Sequence, residues 1–493
     1  MDNIQFSELI FAFVYAVGTD ADPVASALEN YLSLYKYQTE TFRVSDHLRS
    51  LNLGISFDSS SPFEKMEALM NAGNSARRQS KSDDILAAMA VTDISDRRSE
   101  DEAGRNEPRE RVAHLVRSLK RPEEVRLLRD VYRPGFFLIA IADDEDSQLD
   151  YLTKEKGLTD NEARIVIERD QEEHTPHGQR TRDTFYLADV FVERREERYK
   201  HQLSRFLELV FGHPFHTPSR EEHAMFLAYA SAARSAQLGR QVGAAIATPE
   251  GEVVAVGMNE VPCRRGGPYW EADPNDKRDH LTETDSNAQY KENIVNSIVK
   301  QLKGNKIVKL LKGERDISAA ILGSDLKDIT EYGRAVHGEM DAILSCARLG
   351  IVVAGKYLFV TTFPCHNCTR HIISSGIRRV YYIEPYAKSK ARALHFDAIC
   401  FSEEDARKTD KLPFLPFVGI GPRRYLDLFS VELSSGRKVE RKDSSGKPQL
   451  PPKHESPPRV PMTPFSYLER EDELLKEFKD LILKLQGKSN GKC

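Results

Sequence analysis

The chain of 493 residues has few of the features that build disulfide frameworks, membrane spans or polyanion-binding surfaces. Only 6 cysteines are present, and those at positions 263, 346, 400 and 493 are scattered, so no disulfide framework is predicted and a reducing, cytoplasmic compartment is expected. No apolar run is long enough to cross a bilayer, so no membrane partner is expected. The net charge of -5 argues against a dedicated polynucleotide binder, whose surface would normally be basic.

The apolar stretch from Leu9 to Val17 resembles the core of a signal peptide but lacks a preceding lysine or arginine, so a buried strand is predicted. The turn that follows lies where a nucleotide-binding P-loop would lie. Only Gly18 and Thr19 of that motif remain, and there is no G-K-[ST] at this turn. The turn predicts either a retained regulatory nucleotide pocket, in which Mg²⁺ would accompany the nucleotide, or a purely structural domain.

Near the middle of the chain, His337-Gly338-Glu339 is followed by Pro364-Cys365-His366-Asn367-Cys368. An isolated H-x-E means little, whereas C-x-x-C is rare in a chain with so few cysteines. One imidazole and two thiolates give zinc three protein ligands and leave its fourth position open for water, as in a catalytic site. Glu339 is close enough to move a proton of that water. The alternative to a catalytic zinc site is that the C-x-x-C has a redox or structural role and lies beside an unrelated core histidine.

The flanking sequence predicts how these residues meet. Residues 339–350 have the apolar spacing of an amphipathic helix that ends at Gly350, and residues 356–362 form a β-rich run. A second helix is predicted after Pro364, with both cysteines in its first turn. Helix N-termini stabilise anions, so two thiolates at such a position would bind metal readily.

An α/β fold with several domains is predicted for the whole chain. Residues 1–212 alternate strand and helix signals, which favours a parallel sheet of the P-loop NTPase or kinase type with a degenerate Walker A motif. Because H-x-E with P-C-x-x-C is the signature of zinc nucleobase deaminases, residues 213–435 are predicted to form a zinc-dependent deaminase domain, with the three-layer α/β/α structure that a resemblance to cytidine deaminases implies. A charged, proline-rich and disordered linker (436–464) and a C-terminal amphipathic helix and tail (465–493) are predicted to follow.

The chain resembles the deoxycytidylate deaminase family and, over nearly its whole length, the larger bacterial anti-phage deoxycytidine-nucleotide deaminases of the AvcD type. Two departures from the family pattern are Gly338, where alanine is usual, and Asp341, where asparagine is common. The resemblance is carried by HGEMDAIL, PCHNC and the segments Arg117 to Tyr132, Gly178 to Val192, Ala232 to Pro262, Gly266 to Asp279, Tyr381 to Ser389 and Pro416 to Phe429.

The resemblance implies a role for each matching residue. His337, Cys365 and Cys368 would hold one Zn²⁺, and Glu339 would move protons between water, the ring N3 and the departing amine. Asn259 would contact the sugar or base, and Tyr386 would pack beside the substrate. Cations are also needed for the phosphates, and the candidates are Arg234, Arg240, Arg264 and Arg265.

The predicted function is hydrolytic deamination of dCTP or dCMP, which would deplete the nucleotide pool that a phage needs. The resemblance further implies an inhibitory small RNA and a homo-oligomer. Two alternatives stay open. The first is a deaminase acting on cytosine or adenosine in RNA or single-stranded DNA. The second is a non-enzymatic nucleotide- or RNA-sensing regulator with a vestigial zinc module.

Overall fold

A computed structural model describes residues 6–99, 107–171, 173, 175–282, 285–304, 314–324, 326, 329, 331–384, 389–432, 438–460 and 464–487. The chain forms two compact units. Unit 1 comprises Met1–Glu222 and Val418–Cys493, and unit 2 comprises His223–Phe417. Unit 1 is therefore discontinuous in sequence. Within the described ranges, no helix combines the length and the apolar character that a membrane span requires.

Helices and strands alternate along much of the chain, and the boundary between the units falls inside α10. The first part of unit 1 contains β1 (Leu9–Tyr15), α1 (Asp22–Ser33), β2 (Gln38–Arg43), α2 (Val44–Arg49), α3 (Pro62–Ser80), α4 (Ile85–Ser99), β3 (Val112–Arg117), α5 (Pro122–Tyr132), β4 (Phe136–Ala142), α6 (Glu145–Asp150), α7 (Asp160–Gln171), α8 (Thr181–Phe185), β5 (Val190–Glu193) and α9 (Glu196–Val210), followed by α10 (Arg220–Ala232). Unit 2 continues with β6 (Gly243–Ala247), β7 (Val253–Met258), α11 (Asp279–Thr282), α12 (Ser286–Gly304), α13 (Glu314–Leu322), α14 (Gly338–Leu349), β8 (Tyr357–Thr362), α15 (His366–Ser374), β9 (Arg379–Glu384), α16 (Ala391–Leu394), β10 (Ile399–Cys400), α17 (Glu403–Thr409) and β11 (Leu412–Pro416). The chain then returns to unit 1 with β12 (Gly419–Ile420), α18 (Tyr425–Phe429) and α19 (Pro464–Leu485).

The sheet of unit 1 has the strand order β12-β5-β4-β1-β3-β2. β1 lies between β3 and β4 and runs parallel to both, while β12 pairs antiparallel with β5. The side chains of β1 and β4 are buried on both faces of the sheet, which explains why these strands are continuous apolar runs rather than alternating ones. The prediction of an α/β fold with a parallel sheet in the N-terminal half is confirmed.

The sheet of unit 2 is mixed, with the order β10-β11-β9-β8-β6-β7. β6 pairs antiparallel with β7 and β8, and the remaining pairs are parallel. A Cβ on Gly257 of β7 would lie 2.4 Å from the carbonyl oxygen of Gly338, so this strand touches the backbone of α14. A Cβ on Gly243 of β6 would lie 1.9 Å from the carbonyl oxygen of Ala228 in α10. The two helices therefore cover opposite faces of the sheet, because facing residues alternate along each strand.

The two units divide at residues 222/223 and 417/418, whereas the sequence favours boundaries at residues 212, 435 and 464. Arg424, just after β12, donates a hydrogen bond of 2.5 Å to the carbonyl oxygen of Phe136 in β4. The described residues 438–460 belong to unit 1 and contact its N-terminal part, although the sequence predicts a disordered tether. Arg459 is only 5% exposed, and its backbone N–H donates to the carbonyl oxygen of Val210 at 2.7 Å.

Candidate functional site

The candidate metal ligands begin two neighbouring helices of unit 2. His337 is the residue immediately before α14, and its extended backbone (φ -73°, ψ 155°) turns the chain into the helix. Cys365 precedes α15 in the same way, and its Sγ accepts a hydrogen bond of 3.5 Å from the backbone N–H of Cys368. Both helix N-termini contribute unpaired N–H groups and positive partial charge, which favours thiolates there.

The three ligands converge. His337 Nδ1 lies 3.3 Å from Cys365 Sγ and 3.4 Å from Cys368 Sγ. A tetrahedral zinc ion with ordinary Zn–S and Zn–N bonds would hold such a nitrogen and sulfur about 3.5 Å apart. The donor set and its spacing therefore fit zinc with only small movements, and three protein ligands leave one coordination position for a small molecule.

The protonation of the three ligands reflects their mutual contacts. The hydrogen bond to Cys365 raises the pKa of His337 to about 9. The hydrogen bond from Cys368 and the neighbouring His337 lower the pKa of Cys365 to about 4. The hydrogen bond to Cys365, together with burial, raises the pKa of Cys368 well above its usual range. Crowding two sulfurs and an imidazole in this way is favourable when a cation neutralises them.

Glu339 lies in the first turn of α14, beside the ligands. Its side chain is only 3% exposed, and burial raises its pKa to about 7. A carboxyl group in this position can both accept and donate a proton near neutral pH, which is the property required of a general acid–base group. The structure thus brings together the four residues that the sequence analysis singled out for metal binding and proton transfer.

Asn259, predicted to contact the substrate, uses its amide to hold the backbone of unit 2. Its Oδ1 accepts a hydrogen bond of 2.6 Å from the N–H of Val242, and its Nδ2 donates one of 2.7 Å to the carbonyl oxygen of Arg240. The side chain therefore ties the end of β7 to the start of β6. Substrate contact by Asn259 remains a prediction.

The predicted phosphate-binding arginines lie in different surroundings. The guanidinium of Arg234 stacks 3.1 Å from the ring centre of Trp270, and burial lowers the pKa of Arg234. Arg240 is exposed but forms an ion pair with Glu384, and Arg264 and Arg265 are exposed. Phosphate binding by these four arginines remains a prediction.

Tyr386, predicted to pack beside the substrate, lies outside the described residues.

The degenerate P-loop turn of unit 1 is packed by the chain itself. A Cβ on Gly18 (φ +88°) would lie 2.8 Å from the carbonyl oxygen of Gln148, and Thr19 is buried. The N–H of Val17 donates to the buried carboxylate of Asp170 at 2.9 Å, and Lys120 pairs with the same carboxylate at 2.9 Å. A carboxylate of the protein thus uses a backbone N–H that a phosphate-binding turn would offer to a nucleotide.

Sequence reasoning missed the fully buried Glu260. Its carboxylate accepts hydrogen bonds from the N–H of Ala236 at 2.7 Å and from Gln237 Nε2 at 3.1 Å. Its backbone pairs with Val336, the residue before His337. Glu260 therefore connects the loop before β6 to the metal ligand. An acidic residue two positions after an apolar strand is the local signal of this role.

Three comparisons with known proteins bear on the site. The sequence profile of the cytidine and deoxycytidylate deaminase zinc-binding region matches residues 218–384, which include all four site residues. Residues 218–384 are therefore similar to this deaminase family. The resemblance to deoxycytidylate deaminases is confirmed over these residues, and the domain bounds 213–435 stay a prediction.

The individual matches are shorter. The ComE operon protein 2 of Bacillus subtilis (strain 168) is 45% identical over 53 residues, which are 11% of this chain and 28% of that protein. The deoxycytidylate deaminase of Enterobacteria phage T4 is 42% identical over 55 residues, 11% of this chain and 28% of that enzyme. The chain therefore spans less than a third of the length of these relatives. The crystal structure of the dCMP deaminase of cyanophage S-TIM5 with dCMP and dUMP matches at a TM-score of 0.23 and 17% identity, over 41% of this chain and 99% of that one.

Proposed function

We propose that the chain is a zinc-dependent hydrolytic deaminase of free deoxycytidine nucleotides, with dCTP or dCMP as substrate. The observation that carries the proposal is the convergence of His337, Cys365 and Cys368 beside the buried carboxyl group of Glu339. The deaminase-family domain that includes these residues and the similarity to proteins named deoxycytidylate deaminase support the substrate class.

The reaction replaces the 4-amino group of the pyrimidine by an oxygen from water and releases ammonia. When bound, zinc would act as a Lewis acid that lowers the pKa of a coordinated water. His337 and the two cysteines would hold the ion. Glu339 would take a proton from the attacking water, deliver it to ring N3 and later protonate the departing amine, as the chemistry of nucleobase deaminases requires.

Several finer predictions belong to this proposal. They concern the substrate contacts of Asn259, Tyr386 and the four arginines, nucleotide with Mg²⁺ near Gly18 and Thr19 of a P-loop-like unit 1, assembly into a homo-oligomer, inhibition by a small RNA, and depletion of the deoxycytidine nucleotide pool during phage infection.

The decisive experiment is the Glu339→Gln variant of the full chain. We expect ammonia release from dCTP and dCMP to fall by about 10²–10⁴-fold, because the amide cannot carry the proton. Zinc content should stay unchanged, because Glu339 is not a ligand. Asp341→Asn is the matched control. Asp341 is also buried in the first turn of α14, but it accepts a hydrogen bond from the N–H of Met258, which asparagine can still accept.

The same assay separates the alternatives. Turnover of single-stranded DNA or RNA without turnover of free nucleotides would replace the proposal by a polynucleotide deaminase. Absence of ammonia release from every substrate by a zinc-loaded wild-type chain would favour a regulator with a vestigial zinc module.

A further inference from the structure

A second group of potential metal ligands lies in unit 1, at the end of α9. Glu208, His213 and His216 each direct a ring nitrogen or a carboxylate oxygen toward the others, and these ligand atoms all lie within 4.8 Å of one another. We call these three residues the α9 cluster. None of them belongs to the deaminase-family segment, which begins at residue 218.

The end of α9 brings the cluster together. Glu208 is in the last turn of the helix, and Gly212 adopts a left-handed conformation (φ +73°) that reverses the chain. The N–H of His213 then donates to the carbonyl oxygen of Glu208 at 2.7 Å. Pro214 continues the turn, so that His216 Nε2 lies 2.6 Å from Glu208 Oε2. The ring centres of the two histidines are 4.1 Å apart.

The surroundings suit a metal ion more than a simple ion pair. All three residues are partly buried, and His213 Nδ1 presents an electron pair, since it accepts a hydrogen bond of 3.2 Å from the N–H of Phe215. Phe211, next to the cluster in sequence, stacks on Tyr35 with ring centres 3.9 Å apart, which closes one side of the turn with aromatic surface. Metal–ligand bonds are strongest where water is partly excluded.

Lys453 fixes the orientation of the Glu208 carboxylate. Its ammonium group lies 2.8 Å from Glu208 Oε1, so Oε2 is the oxygen that faces the histidines. Hydrogen bonds to the second oxygen of a carboxylate are the usual way in which a ligand is oriented toward a metal. The positive charge of Lys453 opposes cation binding but is already paired with Glu208 Oε1.

We propose that the α9 cluster binds a divalent transition metal ion, with Zn²⁺ as the best match, through two imidazole nitrogens and one carboxylate oxygen. Two histidines and a glutamate are an established zinc donor set, and they leave one position for water. The ion takes the place of the proton that His216 shares with Glu208, and the two ligand atoms move apart by about 0.7 Å to accommodate it. If His213 Nδ1 becomes the ligand, metal binding replaces the 3.2 Å hydrogen bond that this nitrogen accepts from the N–H of Phe215. The bound ion links the end of α9 to residues 213–216.

Zinc content of the full chain, measured by mass spectrometry after dialysis, tests the proposal. The wild type is expected to hold about two zinc ions and the His213→Ala, His216→Ala double variant about one, with ammonia release unchanged. The Cys365→Ser, Cys368→Ser variant should also hold about one ion but lose activity. His201→Ala is the matched control, because His201 is an exposed histidine of the same helix. A wild type with about one ion, which the cysteine variant loses and the histidine variant keeps, would overturn the proposal.

A second measurement remains decisive if the double histidine variant does not fold. The cysteine variant retains only the α9 cluster, so added ZnCl₂ should raise the thermal midpoint of its unit 1, and a further His216→Gln change should remove the increase. Glutamine can still donate a hydrogen bond to Glu208 but is a poor zinc ligand. No response to ZnCl₂ by the cysteine variant would mean that His216, Glu208 and Lys453 form an ion-pair network only.

Discussion

At the scale of single residues, a variant of Asn259 distinguishes a structural role of this side chain from a substrate-binding role. Its amide makes two hydrogen bonds to the backbone of residues 240 and 242. Asn259→Ala should therefore lower the free energy of unfolding of unit 2 by about 1–3 kcal/mol, because partly buried backbone groups lose their partners. Chemical denaturation measures this change. If unfolding were unaffected while the KM for dCTP or dCMP rose, Asn259 would act only on the substrate.

Asp143, which follows β4, gives unit 1 a predictable dependence on pH. Burial, with a contribution from Asp144, raises the pKa of Asp143 from 3.8 to about 6. The folded state therefore holds the proton more tightly than the unfolded state. The ionised carboxylate destabilises the fold, and this unfavourable contribution grows as pH rises from about 4 through 6.

Asp143→Asn removes that contribution. We expect the free energy of unfolding to rise by about 1–2 kcal/mol at pH 8, a value reduced from the full shift because the side chain is partly solvated. The gain should fall by about half at pH 5. Asp150→Asn, at an exposed site paired with Lys154, should change little at either pH. A gain that is equal at both pH values would contradict the assigned cause.

The metal ligands could be predicted because their signal is local. H-x-E and P-C-x-x-C each lie within five consecutive residues, and each begins a helix whose apolar spacing is readable. The partners of the other site residues are distant in sequence. Glu384 is 144 residues from Arg240, and no pattern near either residue indicates the pair. For the same reason, the buried Glu260 network was not predicted.

At the scale of secondary-structure elements, the contact of β7 with α14 depends on Gly257. A Cβ at this position would lie 2.3 Å from the backbone nitrogen of Ala342, and backbone atoms cannot yield as a flexible side chain can. Gly257→Ala should therefore destabilise unit 2 by about 3 kcal/mol and lower its zinc content, because His337 immediately precedes α14. Gly239→Ala is the control, since a Cβ there meets nothing within 4 Å. Equal stability of the two variants would contradict this close approach.

The elements were predicted better than their arrangement. The apolar stretch from Leu9 to Val17, predicted to be a buried strand, contains β1, and the helix predicted from residue 339 begins one residue earlier. These elements have periodic or continuous apolar patterns. The strand order could not be read in the same way, because β1 pairs with β3 and β4, more than 90 residues away. The two residues of β12 are too few for any periodicity.

At the scale of the whole molecule, both ends of the chain build unit 1. Arg98 of α4 lies 2.6 Å from Glu471 of α19 and 3.1 Å from Glu8, and all three side chains are buried. Tyr467 of α19 donates a hydrogen bond of 2.6 Å to Glu8. The two contacts made by α19 join residues more than 370 positions apart, which explains why the sequence indicated an amphipathic C-terminal helix but not the site where it packs.

Deleting residues 464–493 should therefore destabilise unit 1 selectively. The deletion removes α19, leaves the Arg98–Glu8 pair without two of its partners, and exposes the apolar surface that Leu474, Phe478 and Ile482 cover. We expect a loss of about 3–5 kcal/mol, the range found when a buried charge network loses a member. Limited proteolysis should then cleave residues 6–222 first.

The proposed zinc ligands of unit 2 provide the internal reference for that experiment. His337, Cys365 and Cys368 all come from residues 223–417, so their zinc should remain bound while unit 1 becomes sensitive to protease. Arg98→Ala should reproduce the effect without shortening the chain. Arg97→Ala should not have this effect. Arg97 is about one-third exposed, and its partners Asp93 and Glu40 are partly exposed, so its loss leaves no buried carboxylate without a partner. A truncated chain whose residues 6–222 resist protease as well as the full chain would mean that α19 adds nothing to the stability of unit 1.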